Sequence, residues 1–127
     1  MIDEATDIPY VNSIVMTVRV DSSVYRIEDY DCGYAVLSKT VLHTGQETRG
    51  HQHNLSECYY FLKGTGGMVV GVERLLVKPG TVNAVPPDAF HKVRNLAQED
   101  LEFICFWNKV TSKNGVEIYS DKQVNMR

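Results

Sequence analysis

Residues 45–64 read GQETRGHQHNLSECYYFLKG, and the spacing of two histidines, a glutamate and alternating aromatics in that run decides how the chain is read. In an extended chain residues two apart share a face, so His51 and His53 present both imidazoles to one point while Gln52 turns away. Asn54, Leu55 and Ser56 are turn formers and Glu57 opens the next apolar run, so a hairpin return is expected to set its carboxylate beside the histidines. The same parity carries Tyr59 and Phe61 onto that face and gives the polar cluster aromatic walls.

The pattern around this stretch has a period of two almost everywhere. SIVMTVRV (13–20), YAVLSKTVLH (34–43), ECYYFLKG (57–64), MVVGVERLLV (68–77), TVNAVP (81–86), HKVRN (91–95) and LEFICFWNKV (101–110) are short, rich in β-branched and aromatic residues, and separated by Gly, Pro, Asp and Asn clusters. No amphipathic helix is expected. Many short strands imply a sandwich or closed barrel, the all-β arrangements that bury one face and limit exposed edges. No linker divides the chain, so one domain is expected over residues 1–127, with the N-terminal arm available to cover a sheet edge of a partner subunit.

Composition narrows the partners. A chain of 127 residues, 43% hydrophobic and 23% charged, with no repeat period, is a single globular domain rather than a disordered segment. The net charge of −3 and the absence of clustered Lys and Arg argue against nucleic acid or an anionic membrane, leaving a small molecule as the expected partner. MIDEATDIPYVNS lacks the basic start and apolar run of a signal peptide and no stretch is long enough to span a membrane, so the expected location is cytoplasmic. Three separated cysteines, Cys32, Cys58 and Cys105, form no CxxC pair and read as reduced thiols.

A further histidine follows a Pro-Pro turn in VPPDAFHKVRN, where His91 shares a face with Val93 and Asn95 while Lys92 and Arg94 face the other way. HxH alone is common on half-exposed strands. HxH with a carboxylate at hairpin distance and a third histidine on a later strand is a ligand set: His51, His53, Glu57 and His91 suit one divalent ion per chain, Fe(II), Mn(II), Ni(II), Co(II) or Zn(II), with open positions for a substrate. His43 is expected to be an ordinary hydrogen-bonded or solvent-facing histidine.

These residues resemble the cupins. Gly45, five residues, His51-Gln52-His53, three residues, Glu57, six residues and Gly64 match the first cupin motif at every defined position. Gly80, five residues, Pro86, then His91 and Asn95 match the second, departing only where Asp88 stands in place of a usual glycine. The resemblance implies a double-stranded β-helix, the jelly-roll barrel of the cupins, commonly a homodimer, with the metal held near its mouth by the four residues named. TRGHQH, ECYYFLKGTGGM and PGTVNAVPPDAFHKVRN are also similar to stretches of the archaeal cupin-type phosphoglucose isomerases, which have a longer gap between HxH and Glu and longer chains. That likeness implies a sugar-like substrate, with Thr48 and Gly50 near its phosphate and Tyr59 near the sugar.

Three functions are compatible with such a site. In an isomerase or epimerase of a small polyhydroxy compound, the ion would stabilise an enediolate while Glu57 or Tyr59 moves the proton, and Arg49, on the parity of His51, would hold a carboxylate or phosphate. In a non-haem Fe(II) dioxygenase, Tyr59 and Phe61, with either Phe103 and Trp107 or Phe106, would line an apolar substrate site, and Cys105 would approach it if Phe103 faces inward. The third is a metal-dependent binding module that holds its ligand unchanged.

Overall fold

The computed structural model describes residues 14–109, and the N-terminal arm lies outside the described residues. The described residues form nine strands: β1 (Val15–Asp21), β2 (Tyr25–Asp31), β3 (Ala35–Leu42), β4 (Glu57–Lys63), β5 (Gly66–Val70), β6 (Glu73–Val77), β7 (Val82–Val85), β8 (His91–Asn95) and β9 (Leu101–Asn108). Among the described residues there is no helix, and so none long and apolar enough to cross a membrane. All pairings are antiparallel, in a six-stranded sheet ordered β1-β2-β3-β9-β4-β7 and a three-stranded sheet ordered β6-β5-β8. The result is a double-stranded β-helix, or jelly roll.

Alternation decides which side chains fill the space between the sheets. On β9 Leu101, Phe103, Cys105 and Trp107 are buried while Phe106 is exposed, so Phe103 and Trp107 rather than Phe106 form the inner wall. Cross-strand register then lays Thr40, Phe103 and Phe61 in one inner row and Ser38, Cys105, Tyr59 and Asn83 in the next. Phe61 and Phe103 are wholly buried with Ile27, Leu42 and Leu101, each such side chain stabilising the fold by about 1.5–3 kcal/mol.

Two strands differ from the expectation. Residues 25–31 form β2 although YRIEDYD is too polar to announce a strand. Its outward side chains satisfy one another: Arg26 Nε donates to Glu28 at 2.9 Å, Tyr30 Oη donates to Glu28 at 2.8 Å, and Arg26 Nη1 pairs with Asp21 at 2.8 Å. The run MVVGVERLLV is not one strand but the β5–β6 hairpin, turning at Gly71. In β1 a bulge between Val18 and Val20 leaves Arg19 as the extra residue, held by Asp29 through two hydrogen bonds of 2.8 Å.

Gly64 and Gly66 bring the β4–β5 turn against the start of β9. Gly64 has φ +88°, and a Cβ there would lie 2.6 Å from the carbonyl oxygen of Asp100; one on Gly66 would collide with the carbonyl oxygen of Arg94. Gly45 also has positive φ, +75°, but faces open space. Gly64→Ala is therefore expected to lose at least about 3 kcal/mol in urea denaturation, against about 1 kcal/mol for Gly45→Ala, which strains the backbone alone; equal losses would mean that packing at Gly64 is irrelevant.

Acid stability should report the outer ion pairs. Hydrogen bonding from Tyr30, then Arg26, holds the Glu28 carboxyl below its ordinary range, and Lys109, then the Gly33 amide, does the same for Asp31. A carboxyl depressed by folding contributes stability that is present above its unfolded value, near about pH 4, and lost as pH falls through the lowered folded value. Both groups are close to solvent, so the effect is small and screened by salt. The drop in thermal midpoint on acidification below about pH 4 should be shallower in Asp31→Asn than in the wild type, and an identical drop would dismiss the Lys109 pairing.

Candidate metal centre

The stretch between β3 and β4 is a crossover between sheets rather than the hairpin its spacing suggests. Residues 46–51 run along the free edge of β8: the Asn95 amide donates to the Gln46 carbonyl at 2.9 Å, the Thr48 amide donates to the Val93 carbonyl at 2.8 Å, and His51 and His91 exchange both backbone bonds at 3.1 and 3.0 Å. Glu57, by contrast, begins β4 opposite Val85 in the six-stranded sheet. The short connection 54–56 reads locally as a hairpin turn, but the partner of His51 lies forty residues later in the chain. Glu57 and His91 thus stand on different sheets, with His51 and His53 on the crossover between β3 and β4.

Local geometry holds them there. Gly50 has φ +80°, and a Cβ would stand 2.7 Å from the Phe90 ring, so glycine lets the chain lie close to β8 and breaks strand alternation just before His51. That break explains why Arg49 is exposed while His51 is buried, against the shared parity expected. Asp88 has φ +69°, adopting the left-handed conformation in which the motif usually has glycine. From that turn the Asp88 amide donates to the His53 carbonyl at 2.6 Å, and Gln52 Nε2 donates to the Asp88 carbonyl at 2.8 Å.

His51, His53, Glu57 and His91 are all buried, and one donor atom from each lies within 4.8 Å of the others. Glu57 Oε1 is 3.0 Å from His91 Nε2, 3.2 Å from His53 Nε2 and 3.9 Å from His51 Nε2. Ligands at about 2.1 Å from one octahedral ion stand roughly 3 Å apart when adjacent, so the group fits a divalent ion with small side-chain movement. The Ala89 carbonyl, 2.9 Å from His91 Nδ1, takes that nitrogen's proton as a hydrogen bond and leaves the Nε2 lone pair facing inward. The Leu55 amide donates to His53 Nδ1 at 3.3 Å, which places a proton on His53 Nε2 toward Glu57; an ion binding here displaces it.

The other expected residues fall into distinct places. Tyr59 is buried with its ring edge-on to His91 at 5.8 Å and stacked on Phe103 at 5.6 Å, so it borders the donors. Phe61 and Phe103 stand behind it in the core. Thr48 Oγ1 accepts a hydrogen bond from the Val93 amide at 2.9 Å, tying the crossover to β8. Cys105 faces inward, cross-strand from Tyr59. His43 is half-exposed beside Asp100 at 3.3 Å and takes no part. Asn95, which matched the motif without an evident role, is a clamp: its Nδ2 donates to the carbonyls of Leu42 and Glu99 at 3.0 and 2.8 Å, and its Oδ1 accepts from the Ala97 amide at 2.9 Å.

Comparison with known proteins agrees with this architecture. A family model described as "Cupin domain" matches residues 38–107. An uncharacterised protein of Methanocaldococcus jannaschii is 34% identical over 70 residues, 54% of this chain and 56% of that one. A glucose-6-phosphate isomerase of Thermococcus gammatolerans is 34% identical over 99 residues, 66% of this chain and 52% of that one. The chain thus spans about half the length of the curated relatives it matches. Among solved structures, an RmlC-like cupin from Shewanella frigidimarina superposes with a TM-score of 0.65 at 16% identity, covering 75% of this chain and 85% of that one.

Removing one of four donors should cost more than the 10- to 100-fold that loss of a supporting hydrogen bond costs, so His51→Ala and His91→Ala are each expected to weaken Zn(II) or Ni(II) binding by about 100-fold or more. Competition against a chelating dye measures this, and wild-type affinity in both variants would rule the centre out.

Proposed function

The chain belongs to the cupin domain family, and from that premise we propose that it is a divalent-metal-dependent enzyme, an isomerase or epimerase of a sugar, sugar phosphate, or hydroxy or keto acid. The observation that carries this reading is the convergence of three imidazoles and one carboxylate beside the Tyr59 ring. Its support from relatives is the similarity to a glucose-6-phosphate isomerase, of whose length the match covers 52%. A divalent ion bound here would polarise a carbonyl and its neighbouring hydroxyl and so acidify the proton between them.

The chain's own residues divide the remaining work. Glu57, if only loosely held by the ion, is the proposed base: its carboxylate sits within hydrogen-bond distance of two imidazoles. Tyr59, held by ring contacts with His91 and Phe103, is the proposed proton donor and acceptor. Phe61 and Phe103 keep water from the inner wall, which strengthens every electrostatic interaction at the donors. The exposed apolar side chains of Ile14, Val15, Met16 and Val18, on and beside the outermost described strand, support a homodimer.

A second reading rests on the stacked inner aromatics Tyr59, Phe61 and Phe103, which would suit an apolar substrate beside iron in a dioxygenase. One experiment separates the two. The Mn(II)-loaded and Fe(II)-loaded proteins are incubated with a panel of sugar phosphates and hydroxy and keto acids in deuterium oxide and followed by proton NMR and oxygen electrode. Solvent deuterium should enter the position next to the carbonyl without oxygen uptake, slowed about 100-fold or more in Glu57→Gln and in Tyr59→Phe. Oxygen uptake with iron and no exchange would transfer the assignment to the dioxygenase reading, and neither response would leave a binding module.

A further inference from the structure

Strand β8 is used on both sides. His91, Val93 and Asn95 point into the barrel, while Lys92 and Arg94 point out. Register places Val69 between Arg74 and Lys92, and Gly67 between Leu76 and Arg94, across the outer face of the three-stranded sheet. These side chains, with Leu96, border a groove of about 380 Å³, a volume within the range of small-molecule sites.

Charge and shape of the groove both point to a ligand. Glu47 is the carboxylate at its rim and is paired with Lys92 at 2.8 Å; Arg74 and Arg94 have no hydrogen-bond or ion-pair partner among the described residues. Three cations against one carboxylate leave an excess of two positive charges here, in a chain whose net charge is −3. Lys92, and more weakly Arg94, hold the Glu47 carboxyl below its ordinary range, as a local positive field requires. Leu76 and Leu96 are 84% and 56% exposed and supply an apolar surface beside the guanidinium groups.

Gly67 forms the floor. Its φ is not positive, and a Cβ would meet only Leu96 Cδ1 at 3.5 Å and the Leu75 carbonyl at 3.8 Å, both ordinary contacts. Neither backbone nor packing requires glycine, unlike at Gly66 beside it, yet glycine inside a strand costs about 0.5–1 kcal/mol. Such a glycine is found where a ligand or another backbone approaches closely.

We propose that this groove binds a small organic anion, a phosphate or carboxylate on an apolar body, with Arg74 and Arg94 holding the anionic group and Leu76 and Leu96 holding the body above Gly67. The site is separate from the metal centre and does not depend on the isomerase reading.

Titration of the metal-loaded full-length protein with phenyl phosphate, benzoate, inorganic phosphate and benzyl alcohol, followed by amide NMR, tests it. Phenyl phosphate or benzoate should shift the amides of Gly67, Leu76 and Arg94 in a saturable way, the stronger of the two identifying the anionic group, while inorganic phosphate and benzyl alcohol bind at least about tenfold more weakly. Arg74→Gln/Arg94→Gln should weaken binding by about tenfold or more, and Gly67→Leu, which fills the floor, should abolish it, with Zn(II) affinity unchanged in both. Shifts confined to the metal centre, equal binding of inorganic phosphate, or wild-type affinity in both variants would overturn the proposal.

Discussion

A carboxylate and three imidazoles aimed at one point inside an apolar shell need protons or a positive ion between them, because their lone pairs would otherwise face one another. A divalent ion is the compact way to supply that charge, and much of the surrounding structure serves to keep the four donors from relaxing apart. Two come from the edge of one sheet, where His51 and His91 exchange backbone hydrogen bonds, and one from the first residue of a strand in the other. Backbone pairing is stiffer than side-chain packing, so the spacing of the donors follows from the closure of the barrel. Asp88 completes the arrangement by fastening the His53 segment through main-chain atoms, leaving the imidazole to the cluster.

The donor set was legible in the chain because it is written in local spacing: residues two apart in extended chain share a face, and turn formers separate the runs. The strand pattern of β3, β4, β8 and β9 followed from the same alternation. What spacing could not show was non-local. The pairing of His51 with β8 crosses forty residues, and a turn such as Asn54-Leu55-Ser56 looks the same whether the chain returns on itself or passes to another sheet. Strand β2 was hidden because only Tyr25 and Ile27 alternate inward before the run turns polar, its outward side chains being charged groups that pair with one another. Arg49 was misplaced by one dihedral, since the positive φ of Gly50 reverses the parity on which its expected position rested.

The crossover and β8 also show how few residues carry several constraints at once. Thr48, Gly50 and Asn95 contribute no donor to the cluster, yet each fixes the path of a segment that does, through a hydroxyl, an absent side chain and an amide respectively. Substitutions at such positions should act on the position of the donors rather than on their chemistry. This distinguishes them from Glu57, whose carboxylate is one of the four grouped donors.

Trp107 is the single tryptophan of the chain, and it lies on the inner face of β9, buried, bordering with Glu57 the same depression of about 530 Å³ at the barrel rim. Its indole Nε1 is shielded from solvent and has no hydrogen-bond partner among the described residues. An indole in such surroundings emits at short wavelength, and paramagnetic ions nearby quench it. The fold therefore carries its own optical probe, one indole lining the same depression as Glu57, by which binding of such an ion at the candidate centre would be followed without a label.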